Sequence, residues 1–335
     1  MSSRTDRRRR VAAVVLGLVA SVAALGLVSV AVGSAALSPG QVWHALRGTG
    51  APSAVATVRE LRLPRTVLGL VVGAALGAAG ALAQGHTRNP LADPGLLGIG
   101  AGAAFAVVCA ITFAGVRTAA GYVWFGLLGA AVATLAVGLV AGRGGSGVVP
   151  LALAGAAVTA LLSTGTSLLV LDDRTTLDVY RRWVAGSLSG RDLGVVLDVA
   201  PFVVVGLVLA VLNAPGVDAL ALGGDVAVSL GHRVGWIRVT GLAAVVLLTG
   251  SAVAAAGPIG FLGLAAPHLA RRLVGPGARA LVPVSALVGI AVLLAADVAG
   301  RVLVRPAELQ VGIVLALAGG PLFVAVARRR QAVSL

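Results

Sequence analysis

The chain alternates between long apolar runs and short polar interruptions. Arg7 to Arg10 stand directly before an uncharged stretch from Val11 to Val32. Similar stretches follow at 66–85, 96–116, 118–142, 148–171, 193–212, 280–296 and 309–327, with Asp198 the one charge among them. A membrane-crossing helix needs about 20 apolar residues, so these read as eight spans. The run at 11–32 outlasts the apolar core of a secretory signal, about 7–15 residues, and predicts a retained helix. Strands of a membrane barrel would alternate over about ten residues; these runs are continuous and about twice as long.

A ninth stretch, 239–270, is too long for one comfortable span and contains Gly257-Pro258. Both chain ends are arginine-rich, with Arg328, Arg329 and Arg330 near the C-terminus. Basic flanks mark the cytoplasmic side, and two cytoplasmic ends require an even number of crossings. Splitting 239–270 at Gly257-Pro258 gives ten. The expectation is an all-α integral membrane protein of about ten transmembrane helices. It has a basic cytoplasmic N-terminus (1–10), a membrane domain (11–327) and a cytoplasmic tail (328–335). Its inner loops are 86–95, 143–147, 213–238 and 271–279; its outer loops are 33–65, 117, 172–192 and 297–308.

Composition narrows the function classes. Of 335 residues, 58% are hydrophobic and 11% charged, with a mean hydropathy of +1.02. That leaves too little polar material for a water-facing shell. All 26 basic residues are arginine. Without lysine there is no P-loop and no Schiff base. Cys109 is the single cysteine, so an intrachain disulfide or cysteine metal cluster is excluded. His44, His86, His232 and His268 are scattered, which excludes an HExxH-type centre. The net charge of +14 does not read as a nucleic-acid surface, because the arginines punctuate apolar runs and aromatics are only 4%. Gly69, Gly73 and Gly77 repeat every four residues, as do Gly126 and Ala130, which reads as close helix packing.

Three stretches carry more information. Arg62-Leu-Pro-Arg65 opens a small-residue helix that ends in Gln84, followed by Asn89-Pro-Leu-Ala-Asp-Pro-Gly-Leu-Leu-Gly98. There Asn89 and Asp93 are placed to cap the next helix. Leu220-Ala-Leu-Gly-Gly-Asp-Val-Ala-Val-Ser-Leu-Gly231 lies in the long inner loop. Gly257-Pro-Ile-Gly-Phe-Leu-Gly-Leu-Ala-Ala-Pro-His268 is continued by Asp297, Arg301, Glu308, Val311-Gly312 and Gly319-Gly-Pro-Leu-Phe323. Together, from about Ser38 to Arg328, these resemble the FecCD-type permeases, the membrane subunits of ABC importers for ferric siderophores, haem and cobalamin.

The resemblance implies a type II importer permease architecture. It implies a second permease subunit, identical or related, two ATPase subunits that use ATP and Mg, and an external substrate-binding protein. This chain itself would hold no cofactor or metal and do no chemistry. Segment 220–231 matches the family's ATPase-coupling segment, through Leu220, Leu222, Gly223, Gly224, Asp225, Val226, Ala227, Leu230 and Gly231. Leu222, Val226 and Leu230 repeat every four residues and can share one helix face, with the glycines permitting tight turns. Arg62, Arg65 and Arg301 match external arginines that pair with glutamates of the binding protein, and Arg305 and Arg59 extend that surface. Exposed pairs of this kind would weaken with salt.

Asp297 and Arg301, four apart, read as a helix-surface ion pair, and His268 as a structural histidine. Residues 143–149 read Arg-Gly-Gly-Ser-Gly-Val-Val, which makes Val148 and Val149 candidates for an apolar inner gate. The expected cargo is ferric siderophore, with cobalamin or haem as the alternative within the family. An ion-coupled secondary transporter is the alternative of another class; it would need acids at the middle of the spans.

Overall fold

The computed structural model describes residues 4–116, 118–143 and 148–331. Each of the ten expected segments contains a helix. These are α1 (Arg4–Ala31), α4 (Leu63–Thr87), α5 (Ile99–Ala114), α6 (Ala119–Arg143), α7 (Val148–Asp172) and α9 (Leu193–Ala221). The remaining four are α11 (Val234–Ala256), α12 (Leu262–Val274), α13 (Ala278–Leu303) and α14 (Val311–Gln331). Seven stretches among them are long and apolar enough to cross a membrane; α5 and the first half of α14 are shorter apolar helices. The chain is a multi-pass membrane protein. Among the described residues, four further α-helices lie between the spans: α2 (Pro39–Leu46), α3 (Pro52–Ala56), α8 (Arg174–Val184) and α10 (Gly224–Ser229).

Helix α4 is the axis of the fold. It packs most extensively on α13 and also on α9, α11 and α12. Its glycines allow this. A Cβ on Gly77 would fall 2.1 Å from the Ser285 carbonyl oxygen, one on Gly73 2.6 Å from Ile290 Cα, and one on Gly80 1.8 Å from the Gly263 carbonyl oxygen. The four-residue stripe is a backbone contact surface, and its partner across α13 is Gly289, itself 2.3 Å (from its own ideal Cβ) from the Gly73 oxygen. Gly126 likewise approaches Ala254, and Gly250 approaches Ala130, where α6 meets α11.

The split in 239–270 occurs at Gly257, which ends α11 at φ +76. A Cβ there would lie 2.0 Å from the Trp183 carbonyl oxygen. The Ser187 N–H then donates to the Ala256 carbonyl at 2.8 Å, and the Gly312 N–H to the Gly186 carbonyl at 3.0 Å. The segment after α8 therefore holds the end of α11 and the start of α14 together.

Three expected loops differ from the structure. The loop 33–65 folds into α2 and α3 and a wound turn, Thr57–Arg62, that runs into α4. Ser38 caps α2 through a reciprocal pair with Gln41. Helix α9 does not stop at residue 212 but continues through Pro215 to Ala221, because Ala214, Val217 and Leu220 stay buried. The inner connection thus shortens to the residues around α10. Helix α13 runs past residue 296 and carries Asp297 and Arg301 in its last two turns. Asp93 caps the short turn Pro94–Leu97, whereas Asn89 accepts from the Leu91 N–H in a local turn before it.

Candidate functional site

The segment matched to ATPase coupling forms a compact unit between α9 and α11. Gly223 (φ +120) and Gly231 (φ +82) bracket α10 in backbone conformations that favour glycine. Gly224 needs no such freedom and simply begins the helix. Ala227 is fully buried against Ala219 and Leu220, with Val234 and Ile237 packed around them. Leu220 and Ala227 therefore anchor the segment instead of facing a partner. Leu222 (65% exposed), Val226 (44%) and Leu230 (61%) point outward, with Asp225 exposed in the first turn. A small helix is pinned on one side and leaves Val226 and Val228 exposed, with Leu222 and Leu230 exposed at its two flanks; an apolar surface of this kind suits docking in a groove.

At the opposite end of α4 lies a buried cluster of charges. The Arg65 guanidinium donates to Asp297 from Nε at 3.0 and 3.1 Å and from Nη2 at 2.8 Å, and from Nη1 to Glu308 at 2.5 Å. Arg301 donates from Nη2 to Asp297 Oδ2 at 2.7 Å and to Ser29 Oγ at 2.6 Å. Asp297 is thus shared by two arginines and is 1% exposed. Ser34 completes the set, donating to Glu308 Oε1 at 2.7 Å. Burial alone would raise the pKa of Glu308, but the hydrogen bonds from Arg65 and Ser34 outweigh it and hold it below the ordinary value.

The arginines also close the end of α1. The last carbonyls of a helix have no partner within it. Arg62 donates to the carbonyls of Val30 (3.1 Å), Ala31 (2.6 Å) and Ala35 (2.5 Å). Arg301 reaches those of Ser29 (2.8 Å) and Val32 (3.1 Å), and Arg305 that of Gly33 (2.8 Å). Positive charge at a helix C-terminus is favourable in itself.

The arginines expected to form the docking surface divide by exposure. Arg62, Arg65 and Arg301 are not exposed residues awaiting glutamates from outside; they are buried and bound to the carboxylates and carbonyls of this chain. Arg305 is exposed, as is Arg59, which donates to the Leu46 carbonyl. The expected Asp297–Arg301 pair is present, but it is buried instead of lying on the helix surface. His268 is half-buried on α12, with Arg272 Nη2 at 3.5 Å from its Nε2. Val148 and Val149 stand at the start of α7; their side chains, the loop 144–147 and the tail 332–335 lie outside the described residues.

The FecCD transport family profile matches residues 21–329. The chain belongs to the FecCD transport family. It is 42% identical over 304 residues to the ferric enterobactin transport system permease protein FepD of Escherichia coli, covering 90% of this chain and 91% of that one. It is 40% identical over 280 residues to the cobalamin import system permease protein BtuC of Halobacterium salinarum, covering 82% and 74%. A solved inward-facing structure of a metal-chelate type ABC transporter superposes with a TM-score of 0.83 at 28% identity, covering 95% of this chain and 99% of that one.

Against this FecCD fold, sequence reasoning missed several polar partners. Ser29 and Thr66 meet at 2.7 Å beneath the arginines. His86 Nε2 lies 2.9 Å from Asn213 Oδ1, and Asn213 Nδ2 donates to the Ile237 carbonyl (2.8 Å) and Thr240 Oγ1 (2.6 Å). Asp218 accepts the Ala278 N–H at 2.6 Å and caps the start of α13. Polar residues within apolar runs were the available signal, since in a membrane such groups must find partners; their partners could not be named from spacing.

Proposed function

We propose that this chain is the permease subunit of an ATP-driven importer that carries ferric siderophore across the cell membrane. The observation that carries the reading is the match along nine-tenths of the chain to a permease named for ferric enterobactin. A second relative of similar coverage, YfiZ of Bacillus subtilis, 38% identical, carries the name of a probable siderophore permease. Both termini then lie in the cytoplasm, together with α10. The permease pairs with a second permease chain and binds two ATPase subunits, which bind ATP and Mg.

The exposed apolar face of Leu222, Val226 and Leu230 suits a groove on the ATPase. Closure of the ATPase pair on nucleotide would displace α10, and with it α9 and α11, which it joins. The ATPase must bind the two conformations unequally, or ATP binding shifts nothing. At the other end a binding protein would deliver the chelate, and Arg305 and Arg59 are exposed arginines that could meet it.

Cobalamin is the second reading, favoured by the match to the Halobacterium permease. Ion coupling is disfavoured, because Asp297 is engaged by two arginines at an end of α13. The test is uptake of radioactive iron in cells lacking the gene, with and without a plasmid copy, across a panel of siderophores plus haem and labelled cobalamin. Restoration of one ferric siderophore supports the reading. Restoration of cobalamin alone moves the cargo to the second reading. Uptake that survives collapse of the ATP pool but fails with the proton gradient rejects the importer.

A further inference from the structure

Helix α11 borders two hollows. Near its start, beside the end of α9, is a hollow of about 330 Å³ bordered by Leu209, Leu212, Pro215, His232, Trp236 and Thr240. Further along, between α6 and α11, is a second hollow of about 500 Å³, bordered by Leu135, Leu139, Leu242, Ala243 and Val246, with Thr134 the one polar side chain. Trp236, Thr240, Ala243 and Leu247 recur at intervals of four, three and four residues. They therefore lie along one face of α11, Trp236 and Thr240 at the first hollow, against α9, and Ala243 and Leu247 at the second, against α6.

The surroundings decide the occupant. The outer faces of both neighbouring spans are apolar and exposed, with Val208 and Leu212 on α9 and Val239 on α11. The groove therefore opens toward the membrane. At its polar end are Trp236, 61% exposed, and Arg233, exposed and without an ion pair among the described residues. Tryptophan and arginine at a helix start are residues of the headgroup level. None of the described residues bordering either hollow is acidic. Apolar walls along the span, with a histidine at the mouth and the exposed Arg233 and Arg238 on either side of Trp236 in the chain, complement one ligand chemistry: acyl chains below a negatively charged headgroup.

We infer that the α11 groove is a binding site for an anionic phospholipid, its headgroup at Arg233 and Trp236 and an acyl chain along Ala243. The site adjoins α10 through the few residues before α11, so an occupied groove would hold the start of α11 against α9. The inference does not depend on the cargo or on the importer reading.

The test uses the full chain in nanodiscs of phosphatidylcholine containing a small fraction of either phosphatidylglycerol or phosphatidylcholine brominated on its acyl chains. Bromine quenches nearby tryptophan fluorescence. The chain has four tryptophans, so the Trp236 contribution is taken as the difference from Trp236→Phe. Brominated phosphatidylglycerol is expected to quench Trp236 about fivefold more effectively than brominated phosphatidylcholine, the ratio one basic residue at a membrane surface gives. Arg233→Gln should reduce that preference, and Arg233→Gln combined with Arg238→Gln should erase it, while quenching by phosphatidylcholine stays unchanged. Ala243→Phe, which fills the groove, should reduce quenching by phosphatidylglycerol. Equal quenching by the two lipids in the unaltered chain overturns the headgroup preference and the inference with it. No quenching of Trp236 by either lipid overturns it as well, since the groove is then covered by protein.

Discussion

Arg65 and Asp297 lie 232 residues apart and form a two-pronged ion pair, Nε and Nη2 of the guanidinium reaching one carboxylate oxygen at 3.0 and 2.8 Å. The pair ties the start of α4 to the end of α13, and Arg301 joins it from the same helix as Asp297. A buried pair is weak evidence of stability by itself, because desolvation opposes the attraction; removing one partner is costly, because it strands the other. Asp297→Ala strands two arginines at once. It should cost about 3–5 kcal/mol, and thermal unfolding of the purified chain should show it. Glu308 stands at the rim with its side chain 29% exposed, so Glu308→Ala should cost much less. Equal losses for the two variants would show that the cluster does not act as a buried unit.

Acid should weaken the same end of the molecule. Glu308 is held below its ordinary pKa by Arg65 and Ser34, so the folded state favours its ionised form. The contribution is complete above the ordinary carboxylate range and is lost as pH falls through the depressed value. Unfolding temperature measured from neutral to strongly acid pH should fall less steeply in Glu308→Gln than in the unaltered chain. An identical acid limb in both would assign the acid sensitivity to other groups.

The α4–α13 contact predicts a contrast among glycines. Gly77→Ala places a methyl 2.1 Å from the Ser285 carbonyl oxygen, whereas one at Gly26 on α1 meets nothing within 4 Å. Backbone cannot step aside as a flexible side chain can, so Gly77→Ala should lose at least the ~1–3 kcal/mol typical of overpacking. Gly26→Ala should be neutral or slightly stabilising. Folded yield and unfolding temperature in detergent decide between them.

Helix α10 separates coupling from folding. Val226→Asp alters an exposed side chain and should leave stability within about 0.5 kcal/mol, yet abolish uptake and assembly with the ATPase. Ala227→Asp buries a charge at a fully enclosed position and should unfold the segment or the protein. Uptake at the unaltered rate in Val226→Asp would remove α10 from the coupling route.

Much of the architecture was legible along the chain. Apolar run length located nine stretches, and length together with parity split the one at 239–270 at Gly257-Pro258 to give ten. The four-residue spacing of Gly69, Gly73 and Gly77 announced close packing. These are one-dimensional properties: hydropathy reports depth in a membrane, and spacing reports the face of a helix. The family was legible too, because its motifs occur in order along the chain.

What each arginine faces was decided only by the tertiary structure. Hydropathy placed Arg62, Arg65 and Arg301 at the end of a span. Whether such an arginine meets water or carbonyls depends on which helix end lies beside it. Here it is the end of α1, about 30 residues from Arg62 and 272 from Arg301. The same limit applies to α10. Spacing put Leu222, Val226 and Leu230 on one helix face; in the structure only Val226 lies within α10, Leu222 and Leu230 flank it, and the packing of Ala227 on Ala219 and Leu220 leaves all three exposed. A helix pattern fixes which residues share a side; the neighbours that cover one side and leave the other open are set by contacts distant in sequence.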